Sequence, residues 1–147
     1  MDENLNDSIL ETVKHMLGSD TDDHFDSDII VLINSAFDTL HQLGFGPKKG
    51  FTISDSSTTW ADYSDDIVGL QLVKNYIYLK VKVIFDPPSS SYVLESYNKS
   101  IAELEWRINV QAESSETTDS NTEQDTYRHY VSGNVLVLEP SSSEETN

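Results

Sequence analysis

The residues of this chain best suited to chemistry are carboxylates. Asp20, Asp22, Asp23, Asp26 and Asp28 crowd into "DTDDHFDSD", a density of oxygen ligands that invites a calcium ion. An EF-hand loop starting at Asp20 needs glycine at its sixth position and glutamate at its twelfth, where this chain has Phe25 and Val31. The cluster therefore reads as a helix-capping connector. His15, His24, His41 and His129 are scattered and no pair has the spacing of a zinc motif. "GFGPKKG" shares only its glycines with a phosphate loop, since Lys48 and Lys49 precede Gly50 and no Gly-Lys-Ser/Thr follows. It reads as a surface turn. No serine sits in Gly-x-Ser-x-Gly and the chain has no cysteine, so nucleophilic hydrolysis has no support. No catalytic residue, cofactor site or metal ligand is assigned, and the chain is not expected to be an enzyme. Trp60 and Trp106 remain as candidate binding aromatics, a residue type found more often as a core or interface anchor.

The elements that must carry these residues are helical. "NDSILETVKHMLG" offers Ser8 and Glu11 as a capping box and Gly18 as a left-handed stop, which predicts a helix over about 8–17. In "IIVLINSAFDTLHQLG" the residues Ile29, Ile33, Ala36, Phe37, Leu40 and Leu43 keep one apolar face up to Gly44. Asp26 to Asp28 suit the positive N-terminus of this second helix. The next stretch, "FGPKKGFTISDSSTT", is a loop with room for an extended piece at Phe51 to Ile53, and "STTWADYS" fits one short helical segment.

"VKNYIYLKVKVIFDPP" supports two readings. Ile77, Leu79, Val81, Val83 and Phe85 alternate with polar neighbours as in a strand, whereas Val73, Ile77, Val81 and Ile84 fall at helical spacing and extend back through Leu70 to Ile67. Length decides between them. A strand over 67–85 would extend roughly 60 Å, far beyond the usual limit, while a helix needs roughly 28 Å. Each β-branched residue costs a helix at most about 0.7 kcal/mol, and each large apolar side chain buried returns about 1.5–3 kcal/mol. A second stripe of Leu72, Tyr76, Leu79 and Val83 makes this the central helix, ended by Asp86, Pro87 and Pro88. Ser89 to Ser91 then cap a fourth long helix with Leu94, Tyr97, Ile101, Leu104, Ile108 and Ala112 on one face, ending near Glu113.

The fold class expected is all-α, a small bundle of about four to five helices with an extended C-terminal arm. Residues 1–113 form the helical domain. Residues 114–126 are an acidic linker too poor in aliphatic side chains to offset the entropy of ordering. Residues 127–147 are an arm in which "YRHYVSGNVLVLEP" could turn a hairpin at Ser132-Gly133-Asn134, followed by a polar tail. One hairpin alone is marginal in water, so Val135, Leu136, Val137 and Leu138 are expected to attach to a partner surface. Lys48 and Lys49, exposed in a turn of a strongly negative protein, are expected to touch an acidic surface of a neighbouring subunit.

With 147 residues, 37% of them hydrophobic, the chain suits one modest core. The start "MDENLNDS" lacks the basic and apolar regions of a secretory signal, so an intracellular site of synthesis is expected. A formal net charge of −17 repels DNA phosphates and anionic membranes. It serves either plain solubility or a surface that must lie near DNA without holding it.

The order of features carries a resemblance: a long helix ending in "QLGFGP", a loop with "TTWADYSDD", the helix "VKNYIYLKVKVIFDPPSSS" and a helix containing "IAELEWRIN". Over about residues 5–113 the chain resembles the head-tail connector, or adaptor, proteins of long-tailed bacteriophages and prophages. That resemblance implies a virion protein of the neck that assembles, first in the host cytoplasm, as a homo-oligomeric ring, typically a dodecamer, beneath the portal protein. The ring would extend the channel through which genomic DNA passes without specific binding. It would also dock a stopper or tail-terminator protein, and its C-terminal segment would reach back to the portal. The alternative from the residues alone is an acidic DNA mimic that fills the cleft of a host DNA-binding enzyme.

Overall fold

A computed structural model of the chain describes residues 5–18 and 22–116. Helix α1 spans Ile9–Leu17, with the Ser8 hydroxyl accepting from Glu11 N at 3.3 Å and Gly18 closing it at φ 80°. This is the left-handed conformation in which glycine carries no Cβ penalty. A 3₁₀ turn, Asp23–Phe25, runs straight into α2, Asp26–Gln42, and the acids Asp26 and Asp28 lie in its first turn. Helix α3 is the single turn Trp60–Tyr63. Helix α4 covers Ile67–Phe85, so the ambiguous stretch is helical as its length requires. Helix α5 spans 91–116 and begins with Leu94 N bonded to Ser90 O. The described residues are thus all helix and loop, with one isolated antiparallel bridge between Ser8 and Thr59.

The chain divides into two units, Met1–Ala112 and Glu113–Asn147, and nearly all described residues belong to the first. Within it α2 and α4 pack antiparallel. The Phe25 ring, at the start of α2, meets Phe85, at the end of α4, with centroids 5.6 Å apart. Beyond the other end of α2, a Cβ on Gly69 would lie 2.9 Å from Phe45 Cζ, so that glycine permits the close approach. Helix α1 packs on both α2 and α4. Helix α5 returns alongside α4, since Tyr76 OH donates to Glu105 at 2.8 Å and Asn109 Nδ2 donates to Leu43 O at 3.4 Å.

The predicted stripes fill the core with instructive exceptions. Ile29, Ile33, Ala36, Phe37 and Leu40 of α2 are buried, as are Leu70, Val73, Tyr76, Ile77, Leu79 and Val81 of α4. Ile67 and Ile84, on the same helical stripe, are exposed instead. They sit in the terminal turns of α4, where neighbouring helices no longer cover it. On α5, Ile101, Leu104, Ile108 and Ala112 are buried and Leu94 and Tyr97 partly so.

The loop between α2 and α3 is held by side chains rather than a sheet. Asn34 accepts from Ile53 N at 2.8 Å and donates to Ile53 O at 2.9 Å. One amide thereby satisfies both backbone groups of a buried extended residue, as a neighbouring strand would. Phe51 and Tyr63 stack against Phe37 with centroids 4.9 and 4.8 Å away. Gly46 lies so close to this cluster that a Cβ there would be 2.5 Å from Tyr63 OH, and its φ is 92°. Ile9 N bonded to Thr58 O and Trp60 N bonded to Asp7 O tie the loop to the start of α1.

Candidate assembly surfaces

The acids that suggested a metal loop serve an ammonium group. Lys14 of α1 is fully buried, and its Nζ lies 2.7 Å from Asp23, 2.9 Å from Asp26 and 3.8 Å from Glu11. Hydrogen bonding to Asp23, then to Asp26, raises its pKa well above the ordinary lysine value. Asp22 meanwhile accepts from His24 N at 2.9 Å and caps the 3₁₀ turn. At the same end of the bundle Asp86 pairs with Lys82, raising the Lys82 pKa through that bond. Glu11, Asp23 and Asp26 so face Lys14, and Asp86 faces Lys82. Among these carboxylates lie two exposed apolar side chains, Phe25 at 40% and Ile84 at 63%.

The opposite end carries the predicted lysines. Lys48 and Lys49 are exposed at the two central positions of a turn closed by Gly50 N bonded to Pro47 O, with Gly50 at φ 80°. Asp65 and Asp66, just before α4, belong to this end as well. The last turns of α5 arrive there too, with Ala112 beside Gly44.

The two tryptophans have opposite settings. Trp60 is wholly buried, its Nε1 donates to Thr12 Oγ1 at 3.1 Å, and the Lys74 ammonium lies 5.2 Å over its ring. Trp106 is 67% exposed on the face of α5 opposite Leu104 and Ile108, with the exposed Arg107 beside it. Tyr92, four turns back on that face, is 80% exposed. An indole beside a guanidinium is the composition enriched at the energetic centres of protein interfaces. Position on the helical wheel was the signal that distinguishes the two: Trp106 falls between the buried positions 104 and 108 but points away from both.

Among the described residues, no group of three or more His, Asp or Glu could hold a metal ion, and no helix is long and apolar enough to cross a membrane. Comparison with known families is decisive: the model of the phage connector protein family matches residues 9–115, well over half of the chain. The chain belongs to the phage connector protein family. No curated protein and no solved structure matches it. The connector match begins at the first residue of α1 and runs almost to the end of α5, so the five helices are the family's part of the chain. The head-tail connector role is structural, places the protein in the virion and implies contact with other head or tail proteins. The four apolar residues predicted to attach the arm, Val135, Leu136, Val137 and Leu138, lie outside the described residues.

Proposed function

We propose that this connector forms a homo-oligomeric ring, a dodecamer by family resemblance, beneath the portal protein at the neck of the virion. The ring lengthens the DNA channel and presents its far side to a stopper or tail-terminator protein. The family match over the whole helical bundle carries this reading. The net charge of −17 supports it, since a negative channel lets DNA slide without holding it. Residues 1–113 act as the ring-forming domain and 114–126 as the tether. Val135 to Leu138 attach to the portal or to a neighbouring subunit by adding a strand, with Val135 and Val137 facing one way and Leu136 and Leu138 the other. Lys48 and Lys49 touch an acidic surface of the next subunit. Nothing observed favours the DNA-mimic alternative.

Light scattering of the full-length protein, alone and with portal-bearing heads, tests the assembly. The expected result is a monomer alone and a ring on the heads, seen by electron microscopy; heads that never acquire a ring overturn the proposal. Truncation after Glu113 is expected to leave a folded helical domain that no longer stays on the heads. Normal retention of a stable truncated protein removes the attachment role of the arm.

A further inference from the structure

Tyr63 carries a polar atom that the bundle does not use. Its ring stands against Phe37 and Phe51, with centroids 4.8 and 5.1 Å away, and the residue is 5% exposed. Its hydroxyl is buried and has no hydrogen-bond partner among the described residues. Burial accordingly pushes the phenol pKa up, with no bond acting on it in either direction. A phenylalanine would fill the same ring cluster and leave nothing unsatisfied, so in the isolated bundle this oxygen only destabilises. A buried donor in that state asks for a role elsewhere.

Over the hydroxyl lies a short strap, residues 46–50, whose Gly46 is so near that a Cβ there would be 2.5 Å from Tyr63 OH. Both flanks of the strap are pinned. Phe45 N is bonded to Leu40 O, and Phe51 meets Phe37 edge-on with centroids 4.9 Å apart. Inside those flanks stand Gly46 and Gly50, at φ 92° and 80°, whose backbones change conformation without the clash a Cβ would bring. Between them Pro47, Lys48 and Lys49 form a tip closed by Gly50 N bonded to Pro47 O at 3.0 Å, and both lysines are exposed. Only two residues of chain separate the first of these ammonium groups from the glycine over the phenol, so a load on the tip reaches that glycine directly.

We propose that the 46–50 strap is a conformational device of assembly. When Lys48 and Lys49 meet carboxylates of a neighbouring subunit, the strap turns about Gly46 and Gly50 and brings one of its backbone carbonyls within hydrogen-bond reach of the Tyr63 hydroxyl. The proposal rests on the reading in which those two lysines touch the next subunit, and it adds what that contact does inside the chain. In the free protein the phenol has no acceptor; in the assembled protein it donates to the strap. The ion pairs at the tip and the new bond at the phenol are both made in one strap position and absent from the other, which is the differential interaction that a shift between two states requires.

Tyr63→Phe in the full-length protein tests the device, because it keeps the ring and removes only the oxygen. The isolated variant is expected to melt at the temperature of the unaltered protein or above it. On portal-bearing heads it is expected to need about fivefold more protein, or greater, to form rings. Lys48→Ala with Lys49→Ala is expected to weaken assembly as well, and adding Tyr63→Phe to that pair is expected to change it no further, since the strap is then no longer turned. A lower melting temperature of isolated Tyr63→Phe shows that the hydroxyl already has its acceptor in the free chain and overturns the proposal. Rings of Tyr63→Phe at the unaltered concentration, or additive losses in the triple variant, overturn it too and leave the ring reading standing. Unimpaired assembly of the lysine pair variant removes the load on the tip, with the same result. If unaltered protein forms no ring on the heads, the ring reading falls and the role of the strap falls with it.

Discussion

Trp60 and Trp106 are the same residue in two regions built for different ends. Around Trp60, the start of α1, the α2–α3 loop and α4 converge, and the indole and the cap of α3 find their polar partners inside the protein. The indole N–H reaches Thr12, and Thr59 N and Oγ1 both donate to Asp62 at the head of α3. Around Trp106, on the outward face of α5, the indole stands in water beside a guanidinium. An indole in the first setting contributes its full area to folding, whereas the second has that contribution still to make when a partner arrives. The difference separates a residue that holds the bundle together from one that the bundle leaves uncovered.

The comparison is sharpest in the substitution Trp60→Ala. Removing a fully buried indole is expected to cost about 3–5 kcal/mol, enough to lose cooperative thermal unfolding or lower its midpoint severely. A circular-dichroism melt close to that of the unaltered protein would break the contrast. Asn34→Ala comes next. It leaves both backbone groups of the buried Ile53 without their partner, at an expected cost of about 2 kcal/mol, measurable in urea unfolding. Asn34→Asp should recover less than half, because a carboxylate accepts from Ile53 N but cannot donate to its carbonyl.

Lys14 provides a smaller, pH-dependent test. Its folded pKa is raised above the ordinary value of 10.5, so its contribution is fully present below that value and is lost as pH rises through the folded pKa. The melting advantage of the unaltered protein over Lys14→Met is expected to be constant from neutral pH to about 9 and to shrink only beyond about 10.5. An advantage that disappears by about pH 9 would show that the ammonium is not held as described. The least effect on stability is expected at Trp106. Trp106→Ala should change unfolding free energy by within about 0.5 kcal/mol. A loss as large as that of Trp60→Ala would place Trp106 among the residues that hold the bundle.

Much of the bundle was legible in the sequence because helix limits are set locally. Ser8, Gly18 and Pro87-Pro88 act through their own backbone and neighbouring residues, and the strand-or-helix ambiguity of 67–85 yields to length alone. The helix and core readings thus needed no contact from distant parts of the chain. The candidate surfaces were legible only in part. Lys48 and Lys49 were expected to be exposed because Pro47 and Gly50 frame a turn, and they are.

Other features required the tertiary structure, since each depends on what lies across from a residue. Periodicity put Ile67 and Ile84 on the buried stripe, and only the ends of the neighbouring helices decide that they are uncovered. Nothing local to Lys14 shows that the chain turns back to bring Asp23 and Asp26 to its ammonium. Asn34 carried no sign that Ile53, nineteen residues on, would need its amide. The sequence by itself determined which segments are helical and which face of each is apolar, because those follow from local dihedral preference and spacing. The tertiary structure decided which tryptophan is enclosed and which displayed, because burial depends on the neighbour a side chain meets.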